Sequence, residues 1–244
     1  MRSADALVNG AGSIPQALRV LLVAYEFPPS PSPQSLRWAY LTRELCNQGV
    51  EVHVLTPAAP GAGGTDLSHD ARVVVHRTYP GLLSGSAGIL RHWRNRVSVP
   101  PGFEEDVEGS DGGEMGGRAA VLNWKGRLME RVQRFAGACV FPDARGECRP
   151  FAKSRLKQLL RDLRPDVVVG SHEPATSLQV ALVAARSGYP LLADMGDPVL
   201  CFYTPKRWRR RAHAVERTVC RHAAHVSVTT VAARRALERR HGIG

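Results

Sequence analysis

The sequence predicts an α/β fold with a doubly wound, mainly parallel sheet of about six strands. Short, continuously apolar runs alternate with longer segments of helical periodicity, the order of elements that builds such a sheet. The runs lack the polar alternation of half-exposed strands, so helices are expected to cover both faces of the sheet. With 244 residues and 43% hydrophobic content, the chain has enough apolar surface for one large core.

The first part of the chain is predicted to form three strands and one helix. Residues 19–25 are almost continuously apolar and form the first predicted strand. A proline-rich loop at residues 27–33 follows, and residues 35–48 place leucines and a tyrosine at helical spacing before a glycine stop. The second and third strands are predicted at residues 50–56 and 72–77.

The middle of the chain breaks this pattern. Residues 81–117 combine a basic and aromatic stretch with Gly-rich acidic sequence, and they are predicted to form a variable, partly disordered insertion. Residues 118–140 regain helical periodicity and are predicted to form an amphipathic helix. Residues 1–18 mix charged and polar side chains into a weakly apolar stretch and are expected to form a flexible leader.

A second run of alternating elements follows and gives the fold its Rossmann-like character. Right-handed crossovers between parallel strands leave few other arrangements for such a series. Helices are predicted at residues 151–163, 176–187, 207–223 and 231–240, and strands at residues 166–170, 189–194 and 225–229.

Charge narrows the classes of partner. A net charge of +11 and a pI of 10.1 require a negatively charged partner, which can be nucleic acid, an anionic membrane surface or a phosphorylated substrate. Of the 33 basic residues, 29 are arginines. GC-rich coding explains such a bias as readily as function does, so the charge is given only partial weight. No nucleic-acid reader motif is present, and a nucleic-acid partner is therefore not expected.

Several common chemistries lack their sequence patterns. No GxGxxG follows the first strand and no Walker-type Gly-Lys-Ser occurs, which argues against nicotinamide, flavin and P-loop enzymes. Five cysteines without a CxxC pair are expected to be reduced and structural. No run approaches the roughly 20 apolar residues of a spanning helix, and no signal peptide is evident. A cytoplasmic location is therefore expected.

The candidate site lies at the carboxyl ends of the predicted strands, where open parallel sheets bind their ligands. Unusual polar residues cluster in the loops that follow strands one, four and five. Two carboxylates separated by two residues without a third ligand make a poor magnesium site, so no metal is predicted. The candidate residues are Ser35, Arg37, Ser171, His172, Glu173, Asp194 and Asp197.

Ordered segments connect these loops to a known family. An apolar strand at residues 20–23 leads into Phe27-Pro-Pro, and a strand after a helix-ending glycine closes in Leu55-Thr-Pro. Later segments carry Ser171-His-Glu-Pro and then Asp194-Met-Gly-Asp-Pro. In this order they resemble the family 4 glycosyltransferases. The resemblance covers about residues 19–80 and 141–244, and it implies the N-terminal, acceptor-side half of a GT-B fold.

Position near the expected cleft and side-chain chemistry indicate roles for the candidate residues. Arg37 would pair with a phosphate, and Ser35, Ser171, Glu173 and Asp194 would help to bind substrate. The alternatives are a surface arginine and, for Asp197, a residue that only shapes the turn before Pro198. Two catalytic candidates follow from position and chemistry: Asp197 at a strand end and His172 as an acid, a base or a hydroxyl donor.

The proline-rich loop departs from the family pattern at a position that would contact the sugar donor. Family members usually carry a Gly-Gly pair after Pro-Pro, which lets backbone amides approach a donor phosphate. Here the loop reads Pro29-Ser-Pro-Ser-Pro, and Pro31 and Pro33 offer no amide donor. Side chains such as Ser30, Ser32 or Arg37 are the remaining candidates for that contact.

The function implied by the resemblance is transfer of a sugar from a nucleotide-sugar, with retention of configuration, in glycan, polysaccharide or glycolipid synthesis. The nucleotide-sugar would be a co-substrate, and no cofactor is expected. The acceptor is either free or lipid-linked. The C-terminal donor-binding domain is expected to be absent or a separate polypeptide, so this chain alone is expected to be inactive. The competing hypothesis is a non-catalytic binding module with the same fold.

Two stretches are candidates for contact with the anionic inner face of the cytoplasmic membrane. One is the predicted helix at residues 118–140, which contains Trp124. The other is Pro205-Lys-Arg-Trp-Arg-Arg-Arg, in which five cations surround one tryptophan. The alternative is that the helix packs on the sheet and the arginine run is a solvated helix start. The contact residues predicted in the second stretch are Trp208, Arg209, Arg210 and Arg211.

Overall fold

A computed structural model describes residues 17–58, 68–81, 141 and 144–242. Most of the predicted leader at residues 1–18 lies outside the described residues. The same is true of residues 82–117 of the predicted insertion and of the predicted helix at residues 118–140, including Trp124.

All six predicted strands are present, and they form one parallel sheet in the order β3-β2-β1-β4-β5-β6. β1 pairs with β2 on one side and with β4 on the other, so the strand order reverses between β1 and β4 as expected. Strand ends differ from the predicted ones by one or two residues. The strands are β1 (Arg19–Val23), β2 (Glu51–Pro57), β3 (Val74–Thr78), β4 (Val167–Ser171), β5 (Leu191–Met195) and β6 (His225–Val228).

Within the described ranges, α-helices follow the predicted alternation. A short 3₁₀ turn at Ala144–Cys148 precedes α2, and another at Lys206–Trp208 precedes α4. The doubly wound α/β architecture predicted from the sequence is confirmed. The helices are α1 (Pro33–Asn47), α2 (Arg149–Leu163), α3 (Ala175–Arg186), α4 (Arg209–His222) and α5 (Val231–His241).

Each face of the sheet has its own core, because successive strand side chains point to opposite faces. On one face Leu21 and Val168 pack with α2, α3 and α4 in the larger core. On the other face Leu22 and Val54 pack against Trp38 of α1. The central strands therefore carry apolar residues at consecutive positions.

The start of α1 differs from the predicted one for a local reason. The Ser32 hydroxyl accepts a hydrogen bond from the Ser35 amide at 3.1 Å and caps the helix, and Pro33 stands in its first turn. Both features favour a helix that begins at Pro33, two residues earlier than predicted. Pro33, the last residue of the predicted proline-rich loop, is thus the first residue of α1.

Gly170 in β4 marks the closest approach of α3 to the sheet. A Cβ atom at this position would lie 2.7 Å from the Cβ of Ala181 on α3. We expect Gly170→Ala to lower the free energy of unfolding by about 1–3 kcal/mol, because sheet and helix must move apart to admit the methyl group. Urea unfolding measures the change.

Gly196→Ala is the matched control, because a Cβ there would meet only the Gln34 side chain, at 3.8 Å. Its effect should stay within about 0.5 kcal/mol. Equal stability of the two variants would show that β4 and α3 are not closely packed.

Candidate functional site

A pocket of about 290 Å³ opens at the carboxyl ends of β4 and β5. Its walls come from the segment after β4, the loop after β5, the 3₁₀ turns before α2 and α4, and Phe141. The position agrees with the predicted site at the carboxyl edge of the sheet. Side chains that define its chemistry are Phe141, His172, Glu173, Cys201, Tyr203 and Trp208.

One wall of this pocket is aromatic. The rings of Phe141 and Trp208 meet edge to face with centroids 5.5 Å apart. The Arg211 guanidinium stands over both rings, 5.2 Å from Phe141 and 5.9 Å from Trp208. Trp208, predicted to contact a membrane, therefore also lines the pocket, and Arg211, predicted to do the same, stands over the two rings. The indole nitrogen of Trp208 is buried without a hydrogen-bond partner among the described residues.

His172 lines the same pocket directly after β4. Its side chain is buried, and its backbone amide donates a hydrogen bond to the Asp194 carbonyl oxygen at 2.7 Å. Desolvation by burial lowers the pKa of His172 below its usual 6.5, although a hydrogen bond to the Asp197 backbone opposes this. The imidazole is neutral at pH 7. Its Nδ1 is buried and has no hydrogen-bond partner in the described part of the chain.

Glu173 and Asp197 both belong to this side of the sheet. Glu173 lines the pocket, is exposed, and has a positive φ of 72°, a conformation uncommon for a residue with a Cβ. Asp197 is exposed and does not line the pocket, but its backbone contacts His172. Only Glu173 therefore presents a carboxylate in the pocket wall, while Asp197 supports the histidine through its main chain.

The remaining candidate residues form a second group under α1. Arg37 makes two hydrogen bonds to the buried Asp194 carboxylate, at 2.5 and 2.9 Å, and Ser227 donates a third at 3.0 Å. This pairing raises the pKa of Arg37. Arg37 and Asp194, both predicted to bind a ligand, thus neutralise each other. A phosphate would have to displace the Asp194 carboxylate to bind the Arg37 guanidinium.

Ser171 and Ser35 are enclosed within this second group. The Ser171 hydroxyl accepts a hydrogen bond from the Trp38 indole at 2.8 Å, which ties α1 to the end of β4. Ser35 is fully buried, and its hydroxyl has no partner among the described residues. In this arrangement both serines lie inside the packing between α1 and the sheet.

The serines of the proline-rich loop are occupied as well. Ser30 donates its hydroxyl to the Glu26 carboxylate, and Ser32 caps α1. The loop is also held by Arg77, which donates to the Pro28 carbonyl oxygen at 2.6 Å. Side-chain contact between this loop and a donor phosphate would require these bonds to open.

Sequence reasoning missed three pocket residues. Phe141 directly follows the predicted helix at residues 118–140, and Cys201 and Tyr203 lie in the loop after β5. A hydrogen bond to Cys201 raises the pKa of Tyr203, so that its hydroxyl stays protonated and can donate. The run Cys201-Phe-Tyr-Thr-Pro, aromatic and directly behind a strand end, was the available signal.

Other expectations concern metals, thiols and membrane spans. The four described cysteines carry free thiols. The described ranges contain no group of three His, Cys, Asp or Glu side chains that could bind an ion, and the expectation that no metal is needed stays a prediction. No helix among the described residues is long and apolar enough to cross a membrane.

Comparison with known proteins adds an independent finding. Residues 34–244 match the family model of the glycosyl transferase 4-like domain. The fold is similar to that of sucrose-phosphate synthase from Thermosynechococcus elongatus, with a TM-score of 0.53 and 13% identity over 91% of this chain. The chain spans about half, 45%, of that enzyme's length. No curated protein sequence matches it significantly.

Proposed function

We propose that this chain, which belongs to the family of glycosyl transferase 4-like domains, forms the acceptor-binding half of a two-domain glycosyltransferase. Its architecture is that of one half of a GT-B fold. The sugar would come from a nucleotide-sugar bound mainly by a second domain, and transfer would retain anomeric configuration. The acceptor would be a glycan, a polysaccharide end or a glycolipid, handled on the cytoplasmic side.

The observation that carries this proposal is the pocket at the ends of β4 and β5. An apolar, aromatic wall with a few convergent polar groups is typical of small-molecule sites. The neutral Nδ1 of His172 and the indole N–H of Trp208 are both buried and unpaired among the described residues. A sugar acceptor offers hydroxyls that donate to the first and accept from the second, while its carbon-bound faces cover the aromatic rings.

The chemistry assigned to the pocket is modest. An acceptor hydroxyl attacks the anomeric carbon, the bond from that carbon to the diphosphate oxygen breaks, and the nucleoside diphosphate leaves with the bonding electrons. His172 holds the attacking hydroxyl and is placed to accept its proton, since the lowered pKa of His172 keeps the imidazole neutral. Stabilisation of the departing diphosphate is assigned to the second domain.

The affinity of residues 1–244 alone for nucleoside diphosphates tests whether the donor is bound mainly by a second domain. We expect nucleoside diphosphates to bind no tighter than about 1 mM, because Arg37 is neutralised by Asp194 and the loop serines are occupied. Titration calorimetry measures this affinity. Micromolar binding of a nucleoside diphosphate to this chain would move the donor site onto it and contradict the assignment.

A transfer assay separates the enzyme from the non-catalytic alternative. The polypeptide carrying this domain together with a donor domain is incubated with a panel of radiolabelled nucleotide-sugars and glycan or glycolipid acceptors. Transfer that requires both domains supports the proposal. Absence of transfer with every donor, while acceptors still bind to the pocket, would favour a binding module.

A further inference from the structure

The loop after β5 exposes two adjacent aromatic side chains. Phe202 is 91% exposed, the highest value among the exposed large hydrophobic residues of the described ranges, and Tyr203 is 60% exposed. Their rings meet edge to face with centroids 5.1 Å apart. Isolated exposed apolar residues are ordinary, but a fully projecting phenylalanine beside a second aromatic ring indicates a surface that binds something.

Exposed cations follow this loop directly. Lys206, Arg207, Arg209 and Arg210 are all exposed, and no acidic residue stands in the first turn of α4. In the described part of the chain, no carboxylate forms an ion pair with any of the four. Cations at a helix N-terminus oppose the helix dipole and lower helix stability. Arg207 contacts the Trp208 ring, with its guanidinium 5.7 Å from the ring centroid, but the fold gains little else from this cluster, which favours a role in binding.

We propose that these six side chains form a docking surface for an anionic lipid bilayer. The aromatic-basic patch consists of Phe202, Tyr203, Lys206, Arg207, Arg209 and Arg210. Aromatic rings insert at the level of the headgroups while the cations contact lipid phosphates. The patch keeps Arg209 and Arg210 from the sequence-based assignment. Trp208 lines the pocket and Arg211 stands over its ring, so Phe202 and Tyr203 serve as the apolar anchor in this proposal.

A bilayer is favoured over nucleic acid by the aromatic pair. Both partners supply phosphates, but the sequence contains no nucleic-acid reader motif, and a phenylalanine that projects fully from the surface suits insertion among lipid headgroups. Lipid insertion needs only that Phe202 project. Tyr203 also lines the pocket, so a docked bilayer would lie at the pocket mouth. The docking itself does not depend on the proposed transferase activity.

Sedimentation with sucrose-loaded vesicles tests the proposal on the 244-residue chain. We expect binding to phosphatidylcholine vesicles that contain about one-third phosphatidylglycerol, little binding to phosphatidylcholine alone, and release by high salt. Arg209→Glu/Arg210→Glu should reduce partitioning more than about 25-fold, since each near-surface cation contributes roughly fivefold. Acidic residues suit a helix N-terminus, so this variant should remain folded.

Three further variants distinguish binding by the patch from an effect of net charge and from nonspecific binding through any exposed aromatic residue. Phe202→Ser should weaken binding by roughly tenfold because the apolar anchor is lost. Lys157→Glu/Arg161→Glu changes net charge equally, but these exposed residues lie near the C-terminal end of α2, toward the amino ends of the strands, and binding should change little. Tyr40→Ser, at a 54% exposed aromatic on α1, should also bind normally.

Three results would overturn the proposal. The first is failure of the folded chain to bind anionic vesicles at low salt. The second is an equal loss of binding in the Lys157→Glu/Arg161→Glu control, which would reduce the effect to net charge. The third is tight binding to single-stranded nucleic acid that displaces the vesicles and is unaffected by Phe202→Ser, which would assign the patch to that partner.

Discussion

Replacing His172 by alanine in the two-domain enzyme is expected to lower kcat by about 10²- to 10⁴-fold, the range that a positioned proton-transfer group contributes. The imidazole is the titratable group most enclosed by the pocket, and its Nδ1 is unpaired in the described part of the chain. Steady-state transfer with varied acceptor concentration measures kcat and KM separately. A loss confined to kcat is expected, because the aromatic wall that binds the acceptor remains.

The pH dependence of this reaction follows from the lowered pKa of His172. The imidazole acts in its neutral form, and burial keeps it neutral below the usual pKa of 6.5. The acidic limb of kcat/KM should therefore lie below pH 6.5 in the native enzyme and disappear in His172→Ala. The unfolded chain binds this proton more readily than the folded chain does. His172 therefore also lowers the free energy of unfolding as pH falls below 6.5.

His225→Ala is the matched control for these measurements, because His225 is exposed at the start of β6, at the opposite end of the strands. Its kcat and pH profile should equal those of the native enzyme. Thermal unfolding of both variants distinguishes lost chemistry from lost folding. A folded His172→Ala variant with native kcat would remove His172 from the reaction.

The sheet could be predicted from sequence because its evidence is local. Strands such as β1 and β4 are apolar at consecutive positions, and helices such as α2 repeat their buried residues at helical spacing. The observed elements differ from the predicted ones only at their ends, because local capping contacts determine where a helix begins and ends. Ser32 and Pro33 moved the start of α1, and the basic run after Pro205 split into a 3₁₀ turn and α4.

The site was only partly predictable, because its decisive contacts join distant residues. His172 and Glu173 follow a strand end, and topology alone places them at the carboxyl edge. Nothing in the sequence shows that Arg37 and Asp194, 157 positions apart, satisfy each other. The packing of Trp208 on Phe141 likewise depends on how α4 approaches the sheet, and this contact moved a predicted membrane residue into the pocket wall.

Glu216 connects the loop that carries the aromatic-basic patch to the last helix. This α4 carboxylate is fully buried. It accepts hydrogen bonds from the Leu200 amide at 2.9 Å, from His241 Nε2 at 2.7 Å and from Arg240. Its partners thus come from the loop after β5 and from α5. A buried carboxylate with three donors is stable only while all of them remain in place.

We expect Glu216→Ala to lower the free energy of unfolding by about 3–5 kcal/mol, because it leaves Arg240, His241 and the Leu200 amide without their acceptor. At roughly 2–4 °C per kcal/mol for a domain of this size, Tm should fall by about 6–20 °C. Glu216→Gln keeps an acceptor for Leu200 but loses the charge, so its loss should be smaller.

Chemical unfolding of matched variants decides the size of this effect. Glu238→Ala is the control, because it removes only the partly exposed pair with Arg234 on α5, and should change stability by less than about 0.5 kcal/mol. In a double-mutant cycle, Arg240→Ala should cost less in the Glu216→Ala background than in the native chain. Additive losses, or a Glu216→Ala variant as stable as the control, would show that the loop and α5 are not joined through this carboxylate.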